Sequence, residues 1–139
     1  MRLKRFSDDR YLKIAFLIGG VYDILLGVTL LVFPDLTASL LQITKPKPIL
    51  WVQTIGIFLI FVGYFLLIAT QDVQRLVFIG VGSSVIRLGY AALVIWAILT
   101  TGIEMGYILT AITDTITAII LLIPIILTED VSWRQLWQL

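Results

Sequence analysis

Four predominantly apolar runs, each long enough to cross a lipid bilayer, decide what this chain can fold into. They are Ile14–Phe33, Ile49–Ala69, Leu76–Leu99 and Met105–Leu127. An α-helix rises about 1.5 Å per residue, so roughly 20 apolar residues span a hydrocarbon core about 30 Å thick. A membrane barrel would need strands alternating apolar and polar residues, and these runs do not alternate. The sequence therefore predicts an all-α integral membrane four-helix bundle, a single domain over residues 1–139. Its helices are expected over about 12–33, 49–69, 74–99 and 103–127. Composition agrees: 60% of residues are hydrophobic, 14% are charged and the mean hydropathy is +1.05. Soluble domains lie nearer half apolar and a quarter charged.

The segments between the runs fit this plan. The first run follows a basic stretch, but it is too long for a signal peptide, contains Asp23 and ends at Phe33-Pro34 rather than at small residues. It is expected to be a retained helix. Between the first two spans, Leu36, Leu40 and Ile43 have helical spacing. They predict a short amphipathic helix in the membrane interface, ended by Lys45-Pro46-Lys47-Pro48. Asp72 is placed to cap the third span. Thr101-Gly102-Ile103-Glu104 matches a capping box opening the fourth. Pro124 is expected to kink that span near its end. Tyr11, Trp51 and Trp96 have the positions of interfacial anchors, and Trp133, Leu136 and Trp137 predict a short amphipathic C-terminal tail on the membrane surface.

Basic residues set the expected orientation. Arg2, Lys4, Arg5, Arg10, Lys13, Arg75 and Arg134 fall on one side of a four-span chain, and only Lys45 and Lys47 on the other. The positive-inside rule then puts both termini in the cytoplasm. The expected location is the cytoplasmic membrane of a bacterium or archaeon.

Three ionisable residues lie inside the runs: Asp23 in the first, Arg87 in the third and Asp114 in the fourth. Each is near the middle of its span. Even on a lenient scale, a charge at the bilayer centre costs about 2.5–3.5 kcal/mol. The economical arrangement is one site inside the bundle, with Arg87 between the two carboxylates. Arginine suits this, because it stays protonated and its planar fork serves two acceptors. One formal negative charge is left over, so the site calls for a proton or a cation.

The polar neighbours of these residues extend the candidate site. Thr110, Thr113, Asp114 and Thr117 follow helical spacing and form one stripe. Ser83, Ser84, Arg87 and Tyr90 share a sector of the third span, with Gly80 in line. In the first span Gly20, Asp23 and Gly27 line up, and glycines let a neighbouring helix come close. The second span offers Gln53, Gly56, Gly63 and Tyr64. Two roles are open for this constellation: fixing helix register, as buried ion pairs can, or lining a polar pocket, the default for intramembrane charge.

Other classes of function are excluded or disfavoured by what is missing. The chain has no cysteine and no histidine. That removes disulfides, thiol nucleophiles, imidazole bases and most zinc chemistry. No metal or other cofactor is implied by the residues, and no basic patch suits a nucleic acid.

The stretch Gly20-Val21-Tyr22-Asp23-Ile24-Leu25-Leu26-Gly27, with Phe33-Pro34 after it, resembles the first helix of small bacterial four-helix membrane proteins of the DoxX-like kind. Arg87 with Gly89, and the late Asp114, resemble the same group, so the similarity covers most of the chain. Some members look like membrane subunits of respiratory or quinone-linked oxidoreductases. The resemblance therefore implies contact with a quinone or with a partner subunit. The chain lacks the histidine motif of membrane glutathione-type enzymes, the cysteines of disulfide-forming quinone oxidoreductases and the early-helix glutamate of small multidrug exporters.

Three functions compete. The first is a non-enzymatic membrane protein binding a small amphipathic ligand, lipid or quinone-like, or a partner subunit. The second is a small proton-coupled transporter working as an oligomer, motivated by the odd carboxylate; the glycine-lined helices separately suggest a homo-oligomer. The third is an intramembrane enzyme with Asp23 and Asp114 as an acid–base pair, which no nucleophile or cofactor motif accompanies.

Overall fold

The computed structural model describes residues 9–44 and 47–127. The basic arm through Arg5, the Lys45-Pro46 break and the tryptophan-bearing tail lie outside the described residues. Five helices follow in order: α1 (Arg10–Val32), α2 (Pro34–Leu41), α3 (Leu50–Ala69), α4 (Val77–Thr100) and α5 (Met105–Leu127). All but α2 are long and apolar enough to cross a membrane. They alternate in direction, so one end of the bundle holds the start of α1 and the α3–α4 turn, and the other holds α2. The chain is an integral membrane protein with an all-α four-helix core.

Side-chain distribution is that of a protein dissolved in lipid. Large apolar residues such as Leu25, Phe58, Ile86 and Leu99 point outward. Glycine, alanine and serine occupy much of the interior. This follows from the solvent: lipid tails are as apolar as leucine, so close packing rather than hydrophobicity brings helices together.

Glycines decide which helices pair. Gly20 and Gly27 of α1 meet Gly63 and Gly56 of the antiparallel α3. A Cβ added at Gly20 would lie 2.9 Å from the Gly63 carbonyl oxygen, and one at Gly63 would lie 2.6 Å from that of Gly20. The Gly27–Gly56 contact is equally close in both directions, at 2.6 and 2.7 Å. The two backbones touch along this seam. A second close pair is formed by α4 and α5, and α1 joins the two pairs by packing on α5.

The two ends of the bundle are filled differently. At the amino-terminal end Leu12, Phe16, Leu66, Val77, Leu121 and Ile125 form one buried cluster drawn from all four long helices. At the α2 end the buried cluster among the described residues is Ala91, Val94 and Ala111, from α4 and α5.

The connections depart from the sequence expectation in two places. Thr101 does not open a capping box. Its hydroxyl donates back to the Ala97 carbonyl at 2.9 Å, Gly102 takes a left-handed φ of 64°, and α5 starts only at Met105. Glu104 is drawn elsewhere: its two carboxylate oxygens accept the Thr44 amide, at 2.6 Å, and the Thr44 hydroxyl. Asp72 accepts the Arg75 amide at 3.2 Å, but it shapes the turn before α4, which begins at Val77 rather than near 74.

The short helix expected between the first two spans is present as α2. Proline at its first position suits a helix start. Its end is a Schellman-type turn, with Gln42 left-handed at φ 54° and the Ile43 amide donating to the Ala38 carbonyl at 3.1 Å. Its exposed face carries Leu36 and Leu40, as expected of an interfacial helix.

Candidate functional site

The three intramembrane charges meet. Arg87 on α4 sends one terminal guanidinium nitrogen to Asp23 Oδ1 on α1 and the other to Asp114 Oδ1 on α5. Its Nε faces Ser83 Oγ, one turn back on α4, at 3.4 Å. One side chain thus bridges three helices and ties the α1–α3 pair to the α4–α5 pair.

The two carboxylates sit in different surroundings. Asp23 is fully buried. The glycine seam explains this: α3 comes so near that a Cβ at Gly63 would be 3.0 Å from the Asp23 Cβ. Asp23 Oδ2 is buried without a hydrogen-bond partner among the described residues. The Asp114 side chain remains 21% exposed, against 5% for Arg87.

Around Asp114 stands a polar strip. Tyr22 lays its ring 5.7 Å from the Arg87 guanidinium carbon, within cation–π range. Its hydroxyl donates to Thr113 Oγ1 at 3.1 Å, joining α1 to α5. One turn along, the Tyr90 and Thr110 hydroxyls are bonded at 2.8 Å. Thr113 and Thr110 donate to the carbonyls of Thr110 and Tyr107, both at 2.9 Å.

The remaining sequence candidates are placed as follows. Ser84 is buried and donates to the Gly80 carbonyl at 2.8 Å, with the Ala118 carbonyl at 3.4 Å, so it serves the α4–α5 contact. Thr117 donates to the Thr113 carbonyl at 2.8 Å. Gln53 is away from the charges, reaching the Leu31 carbonyl at 3.4 Å across the α1–α3 seam. Tyr64 points outward, 54% exposed, with its ring tilted against Phe65. The structure therefore joins Asp23, Arg87, Asp114, Ser83, Thr110, Thr113 and Tyr90, and leaves Gln53 and Tyr64 outside the cluster.

Tyr22 is the residue that sequence reasoning missed. It precedes Asp23, and adjacent helical residues do not share a face. A phenol in mid-span, whose hydroxyl must find a partner in lipid, was the available signal. Among the described residues no group of three acidic side chains is gathered that would hold a metal.

The fold and site define the class: an integral membrane four-helix bundle built around a buried Asp–Arg–Asp network. Comparison of the chain with protein-family models, with curated proteins and with solved structures gives no match.

Proposed function

We propose that this protein is a non-enzymatic membrane protein that binds a small amphipathic ligand at mid-depth, on the Asp114 side of the network. The observation that carries this is the partial exposure of Asp114 in the middle of α5. An ionised carboxylate at that depth is costly unless a polar group meets it. Its free side is flanked by Tyr22, Thr113, Tyr90 and Thr110, a polar strip within otherwise apolar helices. A ligand with a polar head and an apolar body satisfies both. The resemblance to DoxX-like proteins supports the same reading and adds a polar group of a partner subunit as an alternative occupant. The positive-inside count supports cytoplasmic termini.

Native mass spectrometry of the purified chain tests the proposal. The wild type is expected to retain a small amphiphile that Asp114→Asn loses. Wild-type protein that is bare in every mild detergent and in nanodiscs overturns it.

The odd charge favours a second reading, a proton-coupled carrier. Two carboxylates share one guanidinium, and Asp23 Oδ2 has no hydrogen-bond partner among the described residues. Reconstituted protein would then pass protons under a substrate gradient, and Asp23→Asn or Asp114→Asn would stop the flux.

A further inference from the structure

The donors and acceptors beside Asp114 specify the head group that fits there. The Thr113 and Thr110 hydroxyl hydrogens go to backbone carbonyls, and that of Tyr22 goes to Thr113. Because Thr110 has spent its hydrogen, the bond it shares with Tyr90 uses the hydrogen of Tyr90. These four hydroxyls have none left to give. Arg87 is buried, with its nitrogens turned to Asp23, Asp114 and Ser83.

What remains are acceptors. Asp114 Oδ2 receives no hydrogen bond from a described residue, because the contact from Arg87 is to Oδ1. Asp23 Oδ2, buried behind Arg87, is a second acceptor of the same network with no partner among the described residues. The network also carries one formal negative charge in excess. An ammonium head brings three donors and one positive charge, and has no acceptor to waste. An oxidised quinone offers carbonyl oxygens, which would face carboxylate and hydroxyl lone pairs.

Building on the ligand-binding reading above, we infer that the ligand is an amphipathic amine, whose cationic, hydrogen-donating head meets Asp114. An acceptor-only head such as an oxidised quinone is the wrong partner for this site.

The test is equilibrium binding of radiolabelled decylammonium to the full chain in phosphatidylcholine nanodiscs. Decanoate and an oxidised decyl-benzoquinone serve as probes with the same tail. Saturable amine binding is expected, preferred over both by about tenfold or more, the scale of one hydrogen bond to a charged group. Asp114→Asn should weaken it by about tenfold, and Asp114→Glu should retain it. A photoreactive decylammonium should label the wild-type segment Thr110–Thr117, which decides the matter even if Asp114→Asn fails to fold. Replacing part of the phosphatidylcholine by phosphatidylethanolamine separates two sources of the same chemistry. Competition points to a lipid headgroup and its absence to a free amine, and both results agree with the inference. Preferential binding of the quinone or of decanoate at that segment overturns the amine and leaves the ligand-binding function standing. Saturable amine binding that labels a different segment also overturns the amine site. No saturable binding of any probe overturns both.

Discussion

Arg87 holds two carboxylates on one guanidinium, so its removal leaves more behind than it takes away. Arg87→Ala strands Asp23 beneath the α3 backbone and Asp114 beside it. A broken buried pair typically costs about 3–5 kcal/mol, and that loss is expected in steric-trap unfolding within bicelles. Arg87→Lys keeps the charge but not the fork, so it should fall between wild type and alanine. Removing the whole network is a different experiment. Replacing buried ion groups together by apolar residues of similar volume is often neutral or stabilising. The triple variant Asp23→Val, Arg87→Met, Asp114→Val, nearer in volume to the residues replaced, should therefore recover most of the stability that Arg87→Ala loses, yet bind no amine. If it folds no better than Arg87→Ala, the network is needed for the fold itself. At this scale the sequence was legible where energies are large: three charges in apolar spans can hardly avoid one another. Gln53 and Tyr64 could not be excluded by the same logic. A helix bathed in lipid is apolar all round, so its hydrophobicity does not reveal which face looks inward.

The α1–α3 seam rests on four glycines in reciprocal contact, and this makes it unforgiving. At Gly27 a Cβ would lie 2.6 Å from a backbone oxygen, with no flexible side-chain end to give way. Gly27→Ala should force the helices apart and cost about 1–3 kcal/mol, the usual range for overpacking. The same variant should raise the accessibility of Asp23, read by its reaction with a carboxyl-directed reagent from the membrane phase. Seven-residue glycine spacing was visible in the sequence, but its partner helix was not, because pairing depends on which faces meet.

Element ends were the less legible part. Thr101 and Glu104 have capping-box spacing, yet the first bonds back into α4 and the second reaches across to Thr44. A local pattern lost to a long-range partner that no spacing rule contains. That contact has a pH signature. Its hydrogen bonds from the Thr44 side chain and backbone hold the Glu104 carboxyl below its ordinary range. A carboxyl with a lowered folded-state value adds stability above its unfolded value of about 4.3. The contribution disappears as pH falls through the lower folded value. The protection of the Thr44 amide, relative to its intrinsic exchange rate, should therefore persist through the ordinary carboxylate range, fall only at lower pH, and be lost at every pH in Glu104→Ala. Unchanged protection in Glu104→Ala would show that α2 is held by other contacts.

Across the whole molecule, packing is graded from one end to the other. All four long helices share a core at the amino-terminal end. At the α2 end, the buried cluster among the described residues belongs to α4 and α5. There α2 and the segment after it reach the start of α5, by the Glu104–Thr44 contact and by the close approach of Gly106 to the Leu41 carbonyl. The charge network lies between these two regimes, with its open side at Asp114. Local stability follows local contact density, so the helix pairs should separate more readily at the α2 end. Spin labels at Trp51 on α3 and Ile98 on α4 sample that end, and labels at Phe65 and Phe78 sample the other. Pulsed dipolar spectroscopy should give a broad distance distribution for the first pair and a narrow one for the second. Glu104→Ala should broaden the first further, and saturation with decylammonium should narrow it, because a ligand that binds one arrangement better shifts the population toward it. Two equally narrow distributions, unmoved by either change, would make the bundle one rigid body and leave a ligand only a lateral route to Asp114.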